Sequence, residues 1–168
     1  MKQKISVSII AGSSSDLPHI EKTQELLRYF GISYDVTVAS AHRTPDKVER
    51  FIRTLKKRGT EVVIACAGMA AHLPAAIASR TVIPVIGVPM ETSHLAGMDS
   101  LLSIVQMPQG VPVACMTIGS HGSVNAAIFA AEILSLKYPG LRRKLFVYKK
   151  RMRSSYSSLR SEKLKVKG

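Results

Sequence analysis

The sequence predicts an α/β fold: a parallel sheet with helices on both faces. Three observations carry that prediction. Short apolar runs alternate with helical patterns from Ile5 to Leu136, the order that joins parallel strands through crossover helices. The runs are apolar at nearly every position rather than at every second one, as in strands covered on both faces. Helix-opening prolines (Pro18, Pro45) and helix-closing glycines (Gly31, Gly59) stand at the joints.

In chain order, residues 5–11 form the first strand. Gly12-Ser13-Ser14-Ser15-Asp16 is a turn, with Ser15 or Asp16 as the cap of a helix whose apolar side is Ile20, Leu26, Leu27 and Phe30. Residues 34–39 form the second strand. Thr44 caps the next helix, where Val48, Phe51, Ile52 and Leu55 recur at i, i+3, i+4, i+7. Residues 61–66 are the third strand, and the small-residue loop from Ala67 to Pro74 leads into a helix through Arg80. A fourth strand at 83–88, a helix at 98–105, a fifth strand at 111–118 and an Ala-rich helix at 125–136 follow. From Pro139 the stripe Leu141, Leu145, Tyr148, Met152 continues among Lys, Arg and Ser. That pattern predicts a helix leaving the domain and fraying toward Gly168. The expected division is an α/β catalytic domain over 1–138 and a basic helical extension and tail over 139–168.

At 168 residues, 46% hydrophobic and 21% charged, the chain suits one soluble globular domain. The formal charge is +13, but eleven of the 24 Lys and Arg lie from Arg142 onward, against one acid, Glu162. The basic excess therefore belongs to the tail. With no recognition motif and few aromatics beside it, the tail reads better as a helix covering a neighbouring subunit than as a nucleic-acid surface. Cys66 and Cys115 sit in apolar runs and read as buried hydrophobes in a reducing compartment. No metal-ligand spacing, apolar leader or membrane-length run is present, so the expected location is the cytoplasm.

In such a fold the strand-to-helix turns gather at one sheet edge, where ligands bind. Three turns there are rich in small or polar groups. Gly12 to Asp16 presents backbone N–H groups and three hydroxyls, suited to an anion, although a plain helix cap explains the same residues. Ser40-Ala41-His42-Arg43-Thr44-Pro45 adds a guanidinium fork that fits phosphate and an imidazole, the ordinary acid–base group near neutrality. Asp16 would repel a phosphate and is better matched to a sugar hydroxyl. Ala67 to His72 supplies a second histidine. His19 reads as exposed, and His94 and His121 as loop residues without a catalytic role. No Ser/His/Asp triad spacing, P-loop or Gly-x-Gly-x-x-Gly occurs. The residues thus point to a small phosphorylated ligand with a histidine beside it.

Several segments together resemble one family. They are Gly-Ser-Ser-Ser-Asp at 12–16, Ser-Ala-His-Arg-Thr-Pro at 40–45, Ala-Ala-His-Leu-Pro at 70–74 and Pro-Val-Ile-Gly-Val-Pro at 84–89. Asp-Ser-Leu-Leu-Ser-Ile-Val-Gln-Met-Pro at 99–108 and Asn-Ala-Ala at 125–127 complete the set. In this order they resemble the PurE family of purine biosynthesis, the N5-carboxyaminoimidazole ribonucleotide mutases.

The resemblance implies a three-layer α/β/α sandwich with a flavodoxin-like parallel sheet, usually assembled as a homo-octamer. It implies transfer of a carboxyl group from N5 to ring carbon C4 of the aminoimidazole ribonucleotide, without metal, nucleotide or biotin. Carried over by position, His42 transfers the proton, and Ser13, Ser15, Asp16, Ser40 and Arg43 bind the ribonucleotide. Gly68, Ala70, Ala71, His72 and Leu73 line the carboxylate end. A related branch carboxylates aminoimidazole ribonucleotide directly with CO2; Arg43 and His72-Leu73-Pro74 favour the mutase branch. Where the family reads Gly-Gly-Ala-Ala-His-Leu-Pro-Gly, this chain carries Met69 and Ala75 in place of glycines. A left-handed backbone at 69 would strain Met by about 1–3 kcal/mol; otherwise its side chain narrows the pocket or points away.

Overall fold

The computed structural model describes residues 5–91 and 94–165, with side chains described to residue 154. Five parallel strands form one sheet: β1 (Val7–Ala11), β2 (Tyr34–Val38), β3 (Val62–Ala67), β4 (Val85–Pro89) and β5 (Ala114–Cys115). Their spatial order is β2-β1-β3-β4-β5, the flavodoxin-like doubly wound arrangement. The helices are α1 (Leu17–Phe30), α2 (Pro45–Arg58), α3 (Leu73–Ala78), α4 (Met98–Val105), α5 (Gly119–Ser135) and α6 (Pro139–Lys165).

Alternation along the strands builds two cores. On one face Val7, Ile9, Ile64 and Val88 meet Leu27 and Phe30 of α1, the alanines of α5 and Leu145 of α6. On the other, Ile10, Val63, Ala65 and Val85 meet Val48, Phe51 and Leu55 of α2, Leu73 and Ile77 of α3, and Ile104 of α4. Strands β1, β3 and β4 are buried throughout, which is why they read as unbroken apolar runs. The edge strand β2 is only half-buried, and an Asp35–Arg58 ion pair ties it to the end of α2.

Three expectations from sequence are corrected. The fifth strand is two residues long rather than spanning 111–118; on its N-terminal side Pro112 offers no ladder donor. Helix α5 opens at Gly119, six residues before the expected start. There the Gly-Ser-His-Gly run is a close-packing device: a Cβ on Gly122 would lie 1.7 Å from the Thr117 carbonyl oxygen. His121 accordingly stands on a helix and not in a loop.

The first half of α6 does not leave the fold. Leu145 is 6% exposed within the first core, and the Tyr148 ring meets Phe30 edge-on with centroids 5.6 Å apart. Lys144 donates to the Phe30 carbonyl at 2.7 Å, closing the C-terminus of α1. The fraying expected toward Gly168 falls outside the described residues. Among the described residues no helix is long and apolar enough to cross a membrane.

Replacing Leu145 by Ala removes a buried anchor, and the expected loss is about 2–5 kcal/mol in urea unfolding. The neighbouring Phe146, 70% exposed, should cost less than about 0.5 kcal/mol on the same change. Equal effects at the two positions would contradict the docking of α6.

Candidate active site

The strand order places β1 beside β3, and the chain leaves these two strands toward opposite faces, α1 on one and α3 on the other. Their turns separate and open a crevice, the usual ligand position in this architecture. Backbone bonds stitch its rim together. Gly12 donates to the Cys66 carbonyl at 2.9 Å, Ala39 to Ala11 at 2.9 Å, and Met90 to Ala67 at 2.9 Å. The resulting cleft has a volume of about 550 Å³.

Every site residue expected from the sequence lines this one cleft: Ser13, Ser15 and Asp16; Ser40, His42 and Arg43; Gly68, Ala70, Ala71, His72 and Leu73. Reading three turns alone missed Met90 and Glu91, which also line it. They follow β4, which is paired to β3, so the end of β4 at the same sheet edge was the available signal.

The first turn is held by its own side chains. Ser13 N–H donates to Asp16 Oδ2 at 3.0 Å, and Ser15 donates to Ser13 Oγ from its N–H at 3.3 Å and its hydroxyl at 2.8 Å. Ser13 thus caps the single 3₁₀ turn Ser14–Asp16, and of the two caps expected for α1 it is Asp16 that holds the position. Asp16 turns its carboxylate back to Ser13. It is 8% exposed. Burial pushes its pKa above the ordinary 3.8, against the lowering effect of the Ser13 N–H, His19 and Arg43. His19 is half-buried rather than exposed.

The second turn is likewise self-bonded. Thr44 Oγ1 accepts from Ser40 N–H at 2.9 Å and donates to the Ser40 carbonyl at 3.2 Å. Thr44 holds the N-cap position of α2 as expected, but its side chain bonds back to the Ser40 turn and not to the helix. Arg43 N–H donates to Ser40 Oγ at 3.2 Å, leaving the Ser40 hydroxyl proton free for a ligand. The Arg43 side chain is exposed.

In the third turn Ala71 N–H donates to the Gly68 carbonyl at 3.2 Å. Its first central residue, Met69, has φ 56°, a conformation that favours Gly, Asn or Asp. Of the two outcomes open from sequence, the strained backbone is realised, and the side chain stands 67% exposed at the cleft wall. The turn also delivers His72 to His42: Nε2 of His42 and Nδ1 of His72 are 2.7 Å apart, with the rings edge-to-face and centroids 4.8 Å apart. Among the described residues no group of three or more His, Cys, Asp or Glu could hold a metal ion. Cys66 is fully buried in the sheet, and burial drives its thiol strongly upward.

Chemically, the cleft joins a hydroxyl- and amide-rich side, one guanidinium, a buried carboxylate and a histidine pair against a wall of small apolar residues. Fold and cleft together define a doubly wound α/β protein with a candidate site at the switch point. The chain belongs to the AIR carboxylase family, whose model matches residues 6–155. It is 54% identical to the N5-carboxyaminoimidazole ribonucleotide mutase of Thermotoga maritima, over 88% of this chain and 85% of that one. With the mutase of Saccharolobus solfataricus it shares 49% identity over 93% and 98% of the two chains. The crystal structure of Treponema denticola PurE superposes with a TM-score of 0.83 at 28% identity, over 93% and 96% of the two chains.

Two outcomes are expected. Met69→Gly relieves about 1–3 kcal/mol of strain at an entropic cost of about 0.5–1 kcal/mol; thermal melting should rise by about 2–4 °C. Asp16→Asn changes the pH dependence of stability. Between 3.8 and its raised native pKa, Asp16 holds its proton more tightly in the folded chain than in the unfolded one. Its contribution to stability therefore falls as pH rises through that window. Unfolding free energies of both proteins measured across it should show the unaltered protein losing ground to the variant, and parallel curves would refute the assignment.

Proposed function

We propose that this protein moves the carboxyl group of N5-carboxyaminoimidazole ribonucleotide from N5 to C4, giving 4-carboxy-5-aminoimidazole ribonucleotide in purine biosynthesis. The observation that carries this reading is convergence. Mutases about half identical to this chain match it over most of both lengths, and the residues that the resemblance assigns to the reaction line one cleft. The reading takes residues 1–138 as the catalytic domain and 139–168 as its basic helical extension. It also takes the working form to be a cytoplasmic homo-octamer with no nucleic-acid partner.

In this mechanism Ser13, Ser15, Ser40 and Arg43 hold the phosphate, through hydroxyl and amide donors and a bidentate fork. Asp16 accepts from a ribose hydroxyl. The N5–carboxyl bond breaks, its electron pair stays on nitrogen, and His42 supplies the proton that nitrogen takes up. The freed CO2 is kept between the backbone of Gly68 to Ala71 and the side chain of Leu73, where exclusion of water prevents its loss. C4 attacks it, forming the new C–C bond. His42 then removes the C4 proton, and that electron pair restores the aromatic ring. The proton given at the first step is recovered at the last, so the cycle needs no external acid, base or cofactor.

The test is conversion of the N5-carboxy substrate without ATP. His42→Asn should lower kcat by at least about 10²-fold while calorimetric binding of the product changes only a few-fold. Full activity in that variant would remove His42 from the mechanism. Carboxylation of aminoimidazole ribonucleotide by free CO2, with no turnover of the N5-carboxy compound, would assign the protein to direct carboxylation instead.

A further inference from the structure

We propose that His72 is a positioning residue that acts through His42, fixing which of its two nitrogens serves the substrate. The inference rests on the carboxyl-transfer reading above and adds to it a role distinct from lining the pocket. An imidazole has two chemically distinct nitrogens, and the bond made by one decides the state of the other. Here His42 Nε2 is engaged at 2.7 Å by His72 Nδ1. That separation is a full hydrogen bond, and it holds a single proton. His42 Nδ1 is then the nitrogen left for chemistry.

The proton's place on that bond follows from the reaction. A base needs a lone pair on the nitrogen that meets the C4 proton. With Nδ1 as that nitrogen, neutral His42 carries its proton on Nε2 and donates to His72. His72 therefore presents an unprotonated Nδ1 and keeps its own proton on Nε2. When His42 Nδ1 takes the C4 proton, His42 becomes an imidazolium and its Nε2–H still donates to His72. When Nδ1 gives the proton to N5, the neutral pair returns. One proton is gained and lost at Nδ1, and His72 gains and loses none. The arrangement follows the logic by which an acceptor holds a catalytic histidine in one tautomer and orientation.

Two further observations support this assignment. The rings meet edge-to-face with centroids 4.8 Å apart, so the contact constrains ring orientation as well as distance. The pair also joins two turns that are otherwise built independently, the self-bonded Ser40–Thr44 turn and the strained turn at Met69. The remaining charged groups of the cleft are Asp16, Arg43 and Glu91. Asp16 is committed to the Ser13 N–H, and among the described residues no carboxylate takes the place of His72 beside His42.

The test compares His72→Ala with His72→Asn in the full chain. His72 is exposed, so neither change disturbs a core. Asn places Oδ1 near the former Nδ1, where it can accept from His42 Nε2–H; Ala leaves nothing there. The expected result is a fall in kcat of about 10²-fold for His72→Ala, with KM within a few-fold, and recovery of at least tenfold in His72→Asn. Nitrogen-15 NMR of the histidines in the unaltered protein should show neutral His42 protonated at Nε2, giving way to a tautomer mixture in His72→Ala. A kcat for His72→Ala within twofold of the unaltered protein would overturn the proposal. So would His72→Asn no better than His72→Ala, or a His42 proton resident on Nδ1. Absence of turnover in the unaltered protein, with the NMR signature present, would overturn the carboxyl-transfer reading and leave the pairing intact.

Discussion

The pairing of β1 with β3 is the constraint on which the site depends. Five residues of β1 run in register with Val62 to Cys66, yet the two strands feed helices on opposite faces. At their carboxyl ends the following turns must diverge, and the gap between them is the cleft. The Gly12 N–H to Cys66 carbonyl bond extends the ladder by one rung before the chains part, setting how close the two walls stand. A one-residue slip in this register would turn every β1 side chain to the opposite face and break both cores, so the cleft geometry inherits the stability of the sheet.

Within the cleft, the turns are ordered before any ligand arrives. Ser13 with Asp16, and Ser40 with Thr44, satisfy one another's donors locally, which lowers the entropy a ligand must remove on binding. Two unfavourable features persist beside them: a carboxylate held in a desolvated position and a methionine in a left-handed conformation. Both sit beside the two cores and the surrounding ladder, which can absorb the cost of about 1–3 kcal/mol that a strained backbone such as that of Met69 carries. The energy is drawn from the sheet, whose three central strands are fully covered.

Much of this organisation was legible in the chain. The unbroken apolar runs of β1, β3 and β4 report burial on both faces, and the prolines and glycines at 18, 31, 45 and 59 mark helix ends that the structure keeps. Less legible was anything depending on what a residue faces. Gly119 to Gly122 read as a loop because glycine lowers helix propensity, whereas a close approach to the Thr117 carbonyl requires it. Leu145 and Tyr148 read as part of a departing helix, because a stripe of apolar residues does not say which surface it meets. Thr44 and Asp16 stand at cap positions, but their side chains turn back to Ser40 and Ser13, a choice between two nearby backbone donors that local pattern leaves open.

For this protein, the amino-acid order was enough to establish the class of fold, the three turns at the sheet edge and the kinds of group they carry. Periodicity, helix-end chemistry and residue type are local properties, written in short windows of chain. The meeting of His42 with His72, thirty residues apart, the arrival of Glu91 at the same cleft and the backbone conformation of Met69 were settled by folding. Each depends on the separation of chain segments in space, which is set by strand order, register and the helices packed on either face.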